Sequence, residues 1–589
     1  MFRFFQKQKK INYKNLVLII FSILLSVCTV VGHMLAKTQS LYLLFETPGA
    51  FMYSIFKFLL LVIFFYCATS IFMHVTERPK LVNWSAKPRT PIVVFLSRSG
   101  FKVTFLLIFI IWLPYLIAYY PGIFMGDTSA QISQFFQLPN GASNYLNLIS
   151  PDQLITNHHP VVHTLMLGGF TKLGEVFFHS DNIGIFMYTL LQYTVCSATL
   201  AYSLQYMKKL NAPGWFRSLA FLLYAFFPVF PRYAVLLSKD AYFACFTLLF
   251  VLLLLDWIRE PESMAASRAK QAAFILAMLG TMLFRQNGIL VVVFALPLLL
   301  LHKKKNPVFR RILLSFVCGL GIYMLYMQIL LPAFQITPGS KREILSIPFQ
   351  QTARYLTQYP DEVTPAEHDA IDAVLDYDYI SSHYNSELAD PVKNTYNENA
   401  TSSDLKNYFR TWFSMFFKHP GVYISATLNN YYGYFYIGND AADHHVRYYM
   451  DLSTRFMDKR MNHKGFHFHH LTCMQPLAVS LELIADYCQE LPVLSLFESS
   501  GFYSIGLLLV FACLLLKKKW AGLIAVLPAL SIYLVCFISP ANGIYYFRYA
   551  FPLAYLLPAL TPLCMENDTA ARHAAYPAVP KDDTLNVLL

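Results

Sequence analysis

Charged residues are scarce in this chain. Only 14% of its 589 residues are Asp, Glu, Lys or Arg, and 56% are apolar. Soluble proteins carry about 25% charged residues, so a single water-soluble globule does not fit. The ten cysteines show no metal-type spacing. Eight of them lie in or beside apolar runs, where an inert thiol is the ordinary reading. Cys473 and Cys488 fall in a polar segment, where a disulfide is one alternative. There is no H-E-x-x-H motif, no internal repeat and no long low-complexity stretch.

What the chain has in abundance is apolar runs. A bilayer core needs about 20 apolar residues per helix. Twelve candidate spans lie near 15–36, 50–75, 102–119, 184–206, 216–235, 241–257, 270–284, 288–302, 310–331, 501–516, 519–538 and 545–564. The first follows Arg3, Lys7, Lys9, Lys10 and Lys14, shows no small-residue cleavage site, and reads as a retained anchor.

The formal charge of +12 suggests nucleic acid at first sight. The positions of the charges exclude it. Pro332 to Ser500 holds 12 Lys/Arg against 20 Asp/Glu, so the basic excess sits in short loops between apolar runs. The tail 1–14 and the loops 76–102, 207–217, 258–270, 302–311 and 517–519 hold 25 Lys/Arg. The alternate short loops hold six: Lys37, Lys172, Arg232, Lys239, Arg285 and Arg548. Positive loops stay cytoplasmic, so both termini are expected inside a multi-pass cell-membrane protein. Val161 to Phe178 would break the alternation as a span, and is expected to lie along the outer surface or dip in.

The expected fold is an all-α polytopic membrane protein of about twelve transmembrane helices with a mainly helical extracytoplasmic domain. Residues 1–331 form an N-terminal bundle with a large outer loop at 120–183. Residues 332–500 form the outer domain, 501–564 the last spans and 565–589 a polar cytoplasmic tail. Within the outer domain, Thr364-Pro365 with Glu367 three residues on predicts a capped helix start. Cysteines placed at Ser143 and Ser386 are expected to label from outside the cell.

Ionisable groups at membrane depth are costly and tend to mark function. Here they gather at the outer ends of the runs: Gly126-Asp127, Lys239-Asp240, Arg285-Gln-Asn287-Gly288 and Asn542 to Arg548. Each has a plainer alternative. Lys239 and Arg285 can snorkel to the interface, and Asp127 can cap a helix from Thr128 to Phe136. Thr156-Asn-His-His159-Pro-Val-Val-His163-Thr164 places two histidines four apart, compatible with a metal or with a hydrogen-bonded pair. A second group, His463, His467, His469 and His470 with His444 and His445 upstream, lacks the paired Cys or carboxylates of a metal site.

The run from Tyr120 to Gln131, His159-Pro-Val-Val-His163-Thr164, Lys239-Asp240, Arg285-Gln-Asn287-Gly288, Ile347 to Arg354, Asp390-Pro-Val-Lys393 and Arg548 to Pro552 resemble an uncharacterised family of multi-spanning membrane proteins of Gram-positive bacteria. The likeness covers most of residues 100 to 560. That family is similar in layout to the GT-C glycosyltransferases, which take sugars from polyprenyl phosphates. The likeness implies a membrane glycosyltransferase with membrane lipid, a polyprenyl-phosphate sugar and a glycan or cell-wall polymer as partners. Asp127 matches the acidic residue after an early span and would be the base. The motif here is Gly126-Asp127 rather than a paired acidic signature, and two extra spans precede it.

The residue types suit that chemistry. An inverting transfer needs a carboxylate for the acceptor proton and cations for the departing phosphate. Arg285, Arg354 and Arg548 suit phosphate by their planar fork. Lys239 adds a point charge, and Asp240, Asn287, His159 and His163 complete the candidate binding set. No cofactor is assigned; a divalent cation is compatible. Aromatics such as Tyr431, Tyr432, Tyr434 and Tyr436 suit a glycan or an interface. The competing readings are a transporter or flippase of lipid-linked glycans and a cell-envelope assembly scaffold. A transporter calls for charges along the bundle interior or inverted repeats, and neither is found.

Overall fold

The computed structural model describes residues 13–77, 95, 99–140, 155–301, 306–438, 449–538 and 546–565. Ser143, His444, His445, Asn542 and residues 566–589 of the tail lie outside them. Among the described residues every regular element is helical. Strand-like pairing is confined to two single parallel bridges, Ile123–Leu236 and Thr156–Thr337.

The apolar runs fold as α1 (Tyr13–Thr38), α2 (Pro48–Glu77) and α3 (Phe101–Ala118). A short α4 (Gly126–Phe135) and α5 (Val161–Phe178) follow, then α6 (Asp181–Lys209) and the broken pair α7 (Gly214–Phe226) and α8 (Val229–Val235). Next come α9 (Lys239–Arg259), α10 (Arg268–Phe284), α11 (Gly288–Val293) and α12 (Pro307–Leu325). By length and composition, α1, α2, α3, α6, α9 and the continuous stretch Pro307–Ala333 can each cross a membrane. The α7–α8 pair, bent by 48°, makes a seventh candidate.

The five remaining expected spans are helical but short: 270–284 lies in the 17-residue α10, 288–302 is α11 followed by the 3-10 stretch Leu296–Leu301, and three more follow the polar segment. Residues 500–516 form α17, 520–536 form α18 and 546–560 form α19. These are at most 17 residues long, and α18 and α19 contain Pro528, Pro552 and Pro558. A proline inside a helix removes a hydrogen bond and bends it. Among the described residues, six or seven helices are therefore long and apolar enough to cross a membrane.

Between these blocks lie α13 (Ser346–Gln358), α14 (Ser402–Lys418), α15 (Pro420–Tyr431) and α16 (Gln475–Glu490). The polar segment divides in two. Phe349, Leu356, Ile371, Leu375, Tyr408 and Tyr423 close a small core of their own. Tyr449, Met457, Phe468 and Leu481 instead join the main core of the bundle. The expected capped start is present: Thr364 and Glu367 exchange hydrogen bonds ahead of the helix Pro365–Asp372.

Helix α9 is the axis of the bundle and packs against α6, α10, α18 and α19. Helix α5 buries His163, Leu167 and Thr171 and leaves Leu165, Leu173, Val176 and Phe177 exposed. An exposed apolar face of this kind suits a helix lying in a membrane interface. Gly174 and Gly184 let α5 and α6 meet, since a Cβ on Gly174 would stand 2.4 Å from the Gly184 nitrogen.

Cys473 and Cys488 are both free thiols, so the disulfide alternative falls; Cys473 is exposed. Ser386 is buried, which makes it a silent labelling position. The expected topology is better read at Cys473 itself. An impermeant maleimide on intact cells should label the native protein and not the Cys473→Ser variant. A cysteine replacing the exposed Ala266, on the expected cytoplasmic side, should label only after permeabilisation. The reverse pattern would invert the assignment.

Candidate functional site

Four segments far apart in sequence converge at one end of α9. Ser238 caps that helix by accepting the backbone N–H of Asp240 at 3.2 Å. Lys239 and Asp240 occupy the first turn, where the helix dipole favours a carboxylate. The segment before α9 is tied to the segment before α4. The Ile123 N–H donates to the Val235 carbonyl and the Leu237 N–H to the Ile123 carbonyl, each at 3.0 Å. The Thr128 hydroxyl donates to the Leu237 carbonyl at 2.8 Å. Gly122 makes the approach feasible: its φ is +151°, and a Cβ there would lie 2.6 Å from Thr189 Oγ1. Asp127 is thereby held beside Lys239.

The charged groups form a ladder. Arg285, where α10 ends, donates from Nε to Asp240 Oδ1 at 2.7 Å and also pairs through Nη2. Arg548, from α19, donates from Nε to Asp240 Oδ2 at 2.6 Å. Its Nη2 donates to Asp127 Oδ2. Lys239 Nζ donates to the same Asp127 oxygen at 2.9 Å and to His159 Nδ1 at 3.1 Å. The Ser238 hydroxyl donates to Asp240 Oδ2 at 2.7 Å. Three cations face two carboxylates, so the ladder carries one excess positive charge.

The two carboxylates differ in kind. The Asp240 side chain is 1% exposed and has partners on both oxygens. The Asp127 side chain keeps 28% of its exposure. Burial pushes its carboxyl up, but Arg548 and Lys239 outweigh burial and hold it well below the ordinary carboxylate range. Asp127 is not a helix cap. It sits in the first turn of α4, Met125 is the capping position, and the Asp127 side chain caps nothing. Gly126 needs no special backbone either, because an added Cβ would meet only ordinary contacts with Phe456 and Arg460.

A second polar layer leans on the ladder. Gln286 donates to the Asn157 carbonyl, and the Asn157 N–H donates to the Thr337 carbonyl at 2.7 Å. These bonds fix the turn bearing His158 and His159. Lys393 bridges Glu343 and Asp390 at 2.8 Å each. Burial pushes the Glu343 carboxyl up, but Lys393 and His158 bring it below its usual value. Beside Arg285, a small crevice is lined by Asn287, Tyr549, Phe243 and Val291. The buried Asn287 Oδ1 has no hydrogen-bond partner there, and Arg285 lies over the Tyr549 ring at 5.0 Å.

Asp127, His159, Lys239, Asp240, Arg285 and Arg548 are thus brought together, with Asn287 adjoining. Arg354 is not. Its guanidinium donates to the Gln39 carbonyl and the Tyr384 hydroxyl. His163 is fully buried behind the ladder and has a structural task. The Gln192 amide donates to three backbone carbonyls, so its Oε1 accepts from the Tyr188 hydroxyl. The Tyr188 oxygen must then accept from His163 Nε2–H at 2.6 Å. His163 Nδ1 is left as an acceptor for the Gln131 amide at 2.9 Å, once that amide's O and N are exchanged. Burial, with help from Lys239, takes the His163 pKa down to about 3. Tyr431, Tyr432, Tyr434 and Tyr436 are buried, so they pack rather than offer a glycan platform. No group of three or more His, Cys, Asp or Glu able to hold a metal occurs among the described residues.

The partners that sequence reasoning missed are Ser238, Glu343 and Tyr549. Ser238 carried a signal, as a capping residue directly before Lys239-Asp240. Tyr549 carried one as the neighbour of Arg548 in a matched motif, and Glu343 carried none.

The buried histidines set a pH dependence. His159 is held well below 6.5 by burial and by Lys239, and His163 lower than 6.5 as well. Below pH 6.5 the unfolded chain takes up protons that the folded chain refuses, so stability falls as pH falls. The detergent melting temperature should drop between about pH 7 and about pH 5.5, with a shallower slope in His159→Gln. A flat profile in the native protein would overturn the assignment of neutral, buried imidazoles.

No curated protein and no solved structure matches the chain significantly. A family model does match, over residues 5–576, and the chain accordingly belongs to the family described as a family of unknown function, DUF6020.

Proposed function

We propose that the chain is a membrane glycosyltransferase of GT-C type that moves a sugar from a polyprenyl-phosphate donor to an extracytoplasmic cell-envelope acceptor. In this reading it has about twelve spans, with both termini in the cytoplasm and the ladder at the outer surface. The observation that carries the reading is the ladder itself. Two arginines and a lysine converge with a partly exposed carboxylate at the ends of apolar helices, and one positive charge is left over. An excess cation in a partly dry site is suited to an anionic phosphate leaving group.

The roles follow from geometry. Arg548 and Lys239 face the exposed carboxylate and hold the donor phosphate. Arg285 and Asp240 hold Arg548 in place from behind. In the reaction the acceptor hydroxyl oxygen bonds to the anomeric carbon as the carbon–oxygen bond to phosphate breaks. The electron pair of that bond leaves with the lipid phosphate, and the acceptor proton passes to Asp127.

A strain lacking the protein should accumulate a polyprenyl-phosphate sugar, and the native gene should clear it. Asp127→Asn should clear it about 10²–10⁴-fold more slowly while detergent melting shows a folded protein. Arg548→Lys should also fail, because one ammonium cannot bridge Asp240 and Asp127 as the guanidinium fork does. An unchanged lipid-linked sugar pool in the deletion strain, or full clearance by Asp127→Asn, would overturn the reading.

A further inference from the structure

We infer that Asp127 is a stand-in for the ligand's phosphate, occupying the Arg548–Lys239 cation pair and being displaced from it as a free carboxylate when a phosphate binds. The inference takes the name of the ligand from the transferase reading; the exchange itself concerns any phosphate-bearing ligand that reaches the site.

Three features of the ladder support it. The first is how Asp127 is held. One oxygen, Oδ2, takes both the Arg548 Nη2 and the Lys239 Nζ bonds. Oδ1 has no hydrogen-bond partner among the described residues. A single anionic oxygen shared by a guanidinium and an ammonium is also how a phosphate oxygen would be held.

The second is what remains after Asp127 leaves. Arg548 stays anchored through Nε to Asp240, and Arg285 neutralises the other Asp240 oxygen. Lys239 keeps His159 Nδ1 as an acceptor at 3.1 Å. The cation pair therefore survives the exchange in place, whereas losing Asp240 would unpin both arginines. Asp127 stands on a ten-residue helix outside the membrane-length set and keeps 28% side-chain exposure. It can turn to water without unpacking the bundle.

The third is chemistry. A carboxylate clamped between two cations is a weak proton acceptor, and Asp127 regains ordinary basicity only when something else neutralises Arg548 and Lys239. Phosphate binding would thus create the base. Donor would bind before acceptor, and Asp127 paired with Arg548 and Lys239 would not deprotonate a passing hydroxyl.

The exchange makes an unusual demand on affinity. A residue that competes with the ligand weakens binding, so removing its charge should strengthen binding. Native protein, Asp127→Asn, Asp127→Ser and Asp240→Asn, each in detergent, are titrated with a short-chain polyprenyl phosphate and separately with inorganic phosphate. Both neutral Asp127 variants should bind about tenfold more tightly than the native protein, and Asp240→Asn should bind more weakly. Tightening for the lipid phosphate alone identifies a lipid headgroup as the ligand; tightening for both identifies the phosphate group by itself. Equal or weaker binding in whichever neutral Asp127 variant folds overturns the exchange. Tighter binding in a protein whose deletion leaves lipid-linked sugars unchanged keeps the exchange and removes the transferase reading. Normal transfer with unaltered affinity does the opposite.

Discussion

The structure depends on one carboxylate, Asp240. It is buried at the start of the central helix and holds Arg285 and Arg548 by its two oxygens. Removing one member of a buried ion pair costs about 3–5 kcal/mol, because the other charge is left without compensation. Here one carboxylate compensates two guanidiniums, so α9, α10 and α19 cannot shift independently. The dipole of α9 and the Ser238 hydroxyl complete its hydrogen bonding. A buried charge satisfied this fully serves as a fixed point for the more exposed ion pairs around Asp127.

A second buried pair does comparable work away from the site. Arg232 pairs with Glu498 at 2.5 Å and lies over the Tyr449 ring at 5.1 Å. Gln489 donates to the other Glu498 oxygen. Arg232 stands on α8, whereas its partners belong to the polar segment that follows α15. The pair fastens that segment to the bundle. The segment's share in the main core around Tyr449, Met457 and Phe468 is the apolar counterpart of the same junction.

Much of the site was legible because ionisable residues are rare in this chain and conspicuous at the ends of apolar runs. Asp127, Lys239, Asp240, Arg285 and Arg548 were found in that way. The same rule gave no help inside the polar segment. Arg354 looked equivalent to the other arginines, but its neighbours Gln39 and Tyr384 come from distant parts of the chain. The tyrosines from 431 to 436 read equally well as platform or packing until burial decided. His163 resembled a ligand from its spacing to His159, yet its fate was set by Gln131 and Tyr188, whose proximity no local pattern encodes. The helical runs were legible from hydropathy, but their lengths were less so. Interior prolines and the bend between α7 and α8 shorten or break several of them.

The bond between Asp127 and Arg548 spans 421 positions of sequence. Chains grow from the N-terminus, so Asp127, Asp240 and Arg285 are all made long before Arg548 leaves the ribosome. Until α19 is in place, one Asp240 oxygen lacks its guanidinium and Asp127 has Lys239 alone. Before Arg548 the ladder holds two cations against two carboxylates, and its excess positive charge arrives only near the end of synthesis. A fragment ending before α19 therefore lacks the cation that bridges Asp127 and Asp240, and its ladder carries no excess positive charge.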